Sequence, residues 1–248
     1  MNYSIEQIKA IAPSVFTEAK ASHLTDKYIQ TPTIKVVEDL INLGWEVTKV
    51  QEVKSRKYQG FQKHLLMFRH PDIMIKGQNG DDAQPQILLT NSHDGKAAFN
   101  FRVGIFRFVC ENGLVISDAD FGVVSIRHVN YTFESLQAKV NEMISKLPGL
   151  VNKINLFKAT TLTDTQMQQF VTKACALRSK QTINIMSVLE ATRKEDEGND
   201  LWAVFNRVQE KLVNGMFKTG TRKVRVIKNF QQDIKINEQL FELAESYI

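Results

Sequence analysis

The chain has 248 residues, 43% hydrophobic and 24% charged, with only 12 Gly and 5 Pro. That composition can bury a sizeable core and excludes a disordered or low-complexity chain. The net charge of +5 favours a polyanionic partner such as nucleic acid. Two distant cysteines, Cys110 and Cys175, exclude CxxC-type zinc sites and a disulfide scaffold and point to a reducing, cytoplasmic compartment. The start, Met1 to Ile8, lacks signal-peptide character, and no run approaches the ~20 apolar residues of a membrane span, so no membrane partner is expected.

Taken in chain order, Ile5, Ile8, Ile11, Val15 and Phe16 have helical spacing, which Pro13 splits in two. Thr31-Pro32 reads as a cap and first turn for a second helix carrying Ile34, Val37, Leu40 and Ile41 on one face, stopped by Gly44. From Trp45 the period changes to two. Strands are predicted at 45–50, 61–68, 86–90, 99–109, 113–116 and 123–128. No helix-length crossover separates them, so the sheet is antiparallel or mixed. Helical spacing returns at Phe133 and is expected to break at Pro148-Gly149. Thr163 to Gln166 carries a capping pattern for another helix. Further helices are expected at 183–191, 201–217 and 234–247, an acidic loop at 195–200, and a short strand at Val224 to Ile227. The fold class is α+β, with residues 1–130 a helix pair plus sheet and residues 131–248 mainly helical.

Positive charge falls in three acid-free runs. Lys54, Arg56, Lys57, Lys63 and Arg69 form the first; Lys96, Arg102 and Arg107 the second; Lys211, Lys218, Arg222, Lys223, Arg225 and Lys228 the third. The turn Lys218-Thr219-Gly220-Thr221-Arg222-Lys223 combines cations, hydroxyls and a glycine, which suits backbone phosphate. The first two runs lie among Tyr58, Phe61, Phe68, Phe99, Phe101, Phe106 and Phe108, and cations beside aromatics on a sheet are a means of holding single-stranded nucleic acid. The competing reading makes the phenylalanines core and the charge runs solvated faces.

The densest set of reactive side chains is Asn91-Ser92-His93-Asp94-Gly95-Lys96. It reads first as a turn, since Asp-Gly favours unusual backbone angles and adjacent strand residues point to opposite faces. Its alternative is a nucleic-acid-processing centre of His93, Asp94 and His128 with Arg102 and Arg107. Cys110 reads as structural more readily than as a nucleophile. No phosphate loop, dinucleotide fingerprint, zinc-peptidase helix or nucleophile elbow is present, and no metal or cofactor is expected.

Asn91 to Gly95, Phe99 to Cys110, Asn112 to Val115, Arg127-His128 and the later run Leu201 to Leu212 together resemble the signature of a phage/plasmid-like family defined by a domain of unknown function. The resemblance covers about residues 30–220. It implies a mobile element in a bacterial host and a role in DNA metabolism, strand annealing or defence against restriction. The helix–Gly–Trp–sheet order is loosely similar to strand-annealing recombinases. The resulting expectation is a non-enzymatic protein binding single-stranded DNA through Lys54, Arg56, Lys57, Arg102, Arg107, Arg222, Lys223 and Arg225, with Tyr58, Phe61 or Phe99 stacking. A modulator of a host defence protein is the alternative partner reading, and a homo-oligomer would join the basic runs.

Overall fold

Residues 46 to 126 carry the strands β1 (Glu46–Glu52), β2 (His64–Arg69), β3 (Ala83–Asn91), β4 (Phe99–Arg107), β5 (Gly113–Ile116) and β6 (Val124–Ile126). The computed structural model describes residues 2–19, 21, 24, 31–55, 59–74, 83–94, 99–107, 113–116, 124–126, 131–179, 183–219 and 222–248, with the side chains of 107 and 113–116 excepted. The chain divides into two compact units, Met1–Phe108 with Ala119–Lys146, and Val109–Asp118 with Leu147–Ile248.

In the first unit, β1 to β4 pair antiparallel in chain order and β6 pairs with β4. The expected α+β architecture is present, with the antiparallel arrangement. Pro85 is tolerated within β3 because it opposes Ile105 of β4 but lies beyond the end of β2, whose last pair is Arg69 with Gln86. One face of the sheet is core. Val50, Leu66, Leu89 and Phe101 form one buried row across it, and Val47, Phe68, Ile87 and Val103 another. That face supplies most of the unit's hydrophobic stabilisation, at roughly 1.5–3 kcal/mol for each large apolar side chain fully buried.

Two helices precede the sheet: α1 (Ile5–Ile11), closed by a capping box between Ser4 and Gln7, and α2 (Thr33–Asn42). Pro13 does split the first segment, opening a 3-10 turn at Pro13–Phe16. The expected Thr31 cap is not formed. Pro32 itself stands at the N-cap and α2 begins at Thr33, whose hydroxyl is used elsewhere. Gly44 ends α2 at φ 86, a conformation that favours glycine, and a Cβ there would lie 2.7 Å from His70 Nε2 and push that ring aside.

The expected break at Pro148 does not occur: α3 runs unbroken over Phe133–Ala159. Pro148 is on the solvent side. The single lost backbone hydrogen bond is outweighed by Leu150, Ile154 and Phe157, all buried beyond it. Residues 133–146 of α3 belong to the first unit and the remainder to the second.

The second unit adds α4 (Asp164–Arg178), opened by the expected capping box of Thr163 and Gln166, α5 (Ile185–Leu189), α6 (Leu201–Asn214) and α7 (Phe230–Glu245). Between the last two helices lies a short hairpin of β7 (Lys218–Thr219) and β8 (Arg222–Lys223). The strand is therefore at 222–223, and Val224 to Ile227 is irregular. Phe157, Trp202, Phe205 and Phe241 form an aromatic core, in which Trp202 and Phe205 stack at 5.7 Å between ring centroids and Phe205 meets Phe241 edge-on at 6.1 Å. Lys153 and Glu245, 2.6 Å apart, tie α3 to the end of α7.

Candidate nucleic-acid interface and a buried histidine cluster

Of the third basic run, Lys211 is buried in α6, and the other five cations lie on the hairpin or just after it. Lys218 faces Lys223 and Thr219 faces Arg222 across the hairpin. Lys218, Arg222, Lys223, Arg225 and Lys228 are all exposed. Among the described residues none of these five pairs with a carboxylate. Like charges opposite one another repel, so the hairpin must be held by its base.

The base is well anchored. Val224 N–H donates to Phe217 O at 3.0 Å, Ile227 N–H donates to Val213 O at 2.9 Å, and Thr219 bridges to Ile183. Gly215 caps α6 at φ 67, and the chain at Val224 and Arg225 passes so close that an added Cβ would sit 2.5 Å from Val224 O. Arg178, at the end of α4, donates to Leu212 O at 2.5 Å and also to Arg225 O. Burial holds this guanidinium below its ordinary range, with Asp233 opposing that shift. The hairpin's cations thus stand on a fixed footing.

The first two runs are arranged differently. Arg102 lies on β4 beside Thr90, whose hydroxyl accepts from its guanidinium at 3.4 Å. Direct strand partners place Lys49, Met67, Leu88 and Arg102 in one row on the sheet face opposite the core, next to Arg69 and Gln86. Arg69 stacks on the Phe106 ring at 4.1 Å and burial lowers its basicity, with Glu46 opposing. Leu65, Met67 and Leu88 are buried within this face. Phe99, expected as a stacking platform, is fully buried in the core instead, because it alternates with Asn100 and Arg102 and so points the other way. Phe61 is half-buried and Lys54 exposed. Arg56, Lys57, Tyr58, Cys110, Arg127 and His128 lie outside the described residues, as does the side chain of Arg107.

His93 and Asp94 are buried, and so are Asn91 and Ser92. The segment bends after β3, but it is more than a turn. Asn91 Nδ2 donates to Thr33 Oγ1 at 2.9 Å, and His93 Nε2 meets the same oxygen at 3.0 Å. His64 Nε2 reaches it at 2.9 Å. On its other side His64 Nδ1 meets Ser14 Oγ at 2.8 Å and Gln62 O at 3.1 Å. Strand register explains the convergence: Glu52 pairs with His64, which pairs with Asn91. Ser92 Oγ donates to Asp94 Oδ1 at 2.7 Å, and Ser14 N–H to Glu52 Oε2 at 2.9 Å. Ser14, Thr33 and His64, each 0% exposed, were missed by sequence reasoning. Their only local signal was a hydroxyl at each of two helical starts, which reads as capping.

The run Leu201 to Leu212 has a structural explanation too. Arg207, Glu210 and Lys211 of α6 are buried at 8%, 5% and 3% exposure. Arg207 donates to Leu189 O at 3.1 Å and Gly198 O at 2.6 Å. Lys211 donates to Ser187 O at 2.7 Å and to Glu190 O. Glu210 accepts from Thr192 at 2.6 Å and pairs with Arg193, which also meets buried Asp196 at 3.2 Å. Burial lowers the basicity of Arg207 and Lys211, with neighbouring carboxylates opposing. The acidic loop after residue 193 is thereby clamped to α6.

Comparison with known proteins gives one family and no function. The model of the Domain of unknown function (DUF932) matches residues 20–241. Two Escherichia coli (strain K12) proteins, UPF0380 protein YfjQ and UPF0380 protein YafZ, are each 28% identical over 256 residues, covering 98% of this chain and 90% of their own length. No solved structure matches. No helix among the described residues is long and apolar enough to cross a membrane.

Proposed function

The chain belongs to the DUF932 family, and from that premise we propose that it is a mobile-element protein that binds nucleic acid without catalysing a reaction, with single-stranded DNA its preferred partner. The observation that carries this reading is the β7–β8 hairpin and the segment after it, where five exposed cations, Lys218, Arg222 and Lys223 on the hairpin and Arg225 and Lys228 beyond it, have no carboxylate partner among the described residues. Such a group neutralises backbone phosphates and releases their counterions. The buried environment of His93 and Asp94 favours binding over a reaction at that segment. A context of DNA metabolism or recombination follows from the resemblance and from the partner together.

The test is fluorescence anisotropy with labelled single-stranded, duplex and RNA oligonucleotides over a salt series. Binding to single strands should weaken as salt rises, with a slope of about −0.7 per phosphate contacted. The triple substitution R222A/K223A/R225A should make that slope shallower by about 2 and leave the folded state intact, since all three side chains are exposed. Absence of binding to all three probes at low salt overturns the proposal.

A further inference from the structure

The basic hairpin has a neighbour of different chemistry. Ile183 bridges antiparallel to Thr219, so Asn184 and Lys218 stand side by side one residue beyond the bridge. Lys218 in turn pairs with Lys223, and Thr219 with Arg222. From Asn184 the chain enters α5, where Asn184, Met186, Ser187, Leu189 and Glu190 line an open hollow of about 520 Å³, within the roughly 300–1,000 Å³ of small-molecule sites. Met186 is 67% exposed there. The hollow has a fixed frame. The main-chain carbonyls of Ser187, Leu189 and Glu190 accept from the buried side chains of Lys211 and Arg207.

We propose, resting on the nucleic-acid reading above, that this hollow takes one unstacked nucleobase of the strand whose phosphates lie on the hairpin. Met186 and Leu189 supply apolar surface, and a thioether packs favourably on an aromatic ring. Asn184 Oδ1 accepts from Met186 N–H at 3.1 Å and Ser187 N–H at 3.4 Å. That fixes the amide and leaves its Nδ2 group to donate to a base carbonyl. The Glu190 carboxylate accepts from a ring or exocyclic N–H, and base edges carry both kinds of group. Met186 and Leu189 also line a second hollow of about 320 Å³, shared with Met167 of α4. The unbranched Met186 side chain can swing toward it as the base enters.

Charge complementarity selects this occupant. An apolar hollow beside Lys218 and Lys223 favours a ligand that carries an anion next to a flat apolar group, and a nucleotide has both within one unit. A cationic peptide would meet the hairpin's repulsion. The hollow also discriminates where the cations do not. Phosphates are common to single strands and duplexes, but a base inside a duplex is stacked and paired and must first be flipped out, at a cost. A base-holding hollow next to phosphate-holding cations therefore gives the preference for single strands a physical cause.

Methyl spectra of the full chain, ¹³C-labelled at the ε-methyl groups of its seven methionines, test this, with the Met186 signal identified by its loss in M186A. An oligothymidylate should move that signal upfield, through the ring current of a base packed on it, and an abasic strand of the same length should not. In anisotropy, M186A should weaken oligothymidylate binding by about three- to tenfold with the salt slope unchanged, and leave duplex and abasic binding as they were. Met186 is exposed, so the variant keeps its fold. A Met186 methyl that stays put with oligothymidylate bound, or moves equally with the abasic strand, overturns the proposal, while salt-dependent binding would still stand for the hairpin. A signal that moves with protein concentration alone puts a second copy in the hollow and overturns it as well. Absence of binding to every strand removes both readings.

Discussion

Gly215→Ala is the sharpest test of how the basic hairpin is held. Gly215 sits at φ 67, where a Cβ would lie 2.5 Å from Val224 O and 2.6 Å from the Arg225 carbonyl carbon. Left-handed backbone costs an L-residue about 1–2 kcal/mol. The obstruction is main chain, not the end of a flexible side chain, so the segment must shift, at the roughly 1–3 kcal/mol typical of overpacking. The expected loss is therefore about 2–5 kcal/mol, a urea midpoint lower by about 1–2.5 M for a slope near 2 kcal/mol/M. Trp202, buried in the second unit's aromatic core, reports unfolding there once Trp45 is replaced by Phe. Gly60→Ala is the control, followed in its own unit through Trp45 once Trp202 is replaced by Phe: φ is 85 but nothing lies within 4 Å of the added Cβ, so only the backbone cost of about 1–2 kcal/mol applies. If Gly215→Ala costs no more than Gly60→Ala, the close approach of Val224 and Arg225 does not anchor the hairpin, and the reasoning fails.

Two other perturbations probe the second unit. Cys175 is buried, and desolvation pushes its thiol up to about 11, so peptide-resolved iodoacetamide labelling at pH 8 should be at least about a hundredfold slower in the native chain than in urea, where the thiol titrates near 8.5. The sign for stability follows: the contribution is present below the ordinary thiol range and lost as pH rises toward 11, so the second unit's urea midpoint should fall on alkalinisation, and native labelling at the unfolded rate would refute the burial argument. Arg207→Ala removes the donors to Leu189 O and Gly198 O and should cost about 2–4 kcal/mol for two stranded carbonyls; a loss under about 1 kcal/mol in the same urea assay would show that these carbonyls find water instead.

Sequence periodicity carried the fold further than it carried the buried chemistry. Apolar patterning after Trp45 marked the strands: β4 alternates, whereas β2 and β3 read as short continuous apolar runs because Leu65, Met67 and Leu88 are buried on the second face as well. The Thr163 and Gln166 capping box was readable because its partners are three residues apart. Pro148 misled because its cost is local, whereas the packing of Leu150, Ile154 and Phe157 that carries α3 past it is tertiary. Arg207, Glu210 and Lys211 look like a solvated helix face in any residue count. Only the position of the 187–198 segment reveals their acceptors. The histidine cluster had the same difficulty. Asn91 and His93 share a face by strand period, but Thr33 and His64 enter from a helix start and another strand. The hairpin cations were legible because exposed charge needs no distant partner to make sense.

That contrast bears on what the family resemblance can mean. Its two most distinctive segments, Asn91 to Asp94 and Leu201 to Leu212, are rich in side chains that usually suggest chemistry. In the folded chain those side chains are committed: Asn91 and His93 to Thr33, Asp94 to Ser92, and Arg207 and Lys211 to main-chain carbonyls. A buried polar group in a filled network is costly to disturb piecemeal. It is also unavailable to a substrate that must approach from water. The residues of these two segments therefore report on how each unit is held internally. The residues that would touch a polyanion are the hairpin cations, which act by charge and reach and whose types Lys and Arg both serve for phosphate. For this fold a signature match identifies the scaffold, and function has to be read from the charge displayed on it.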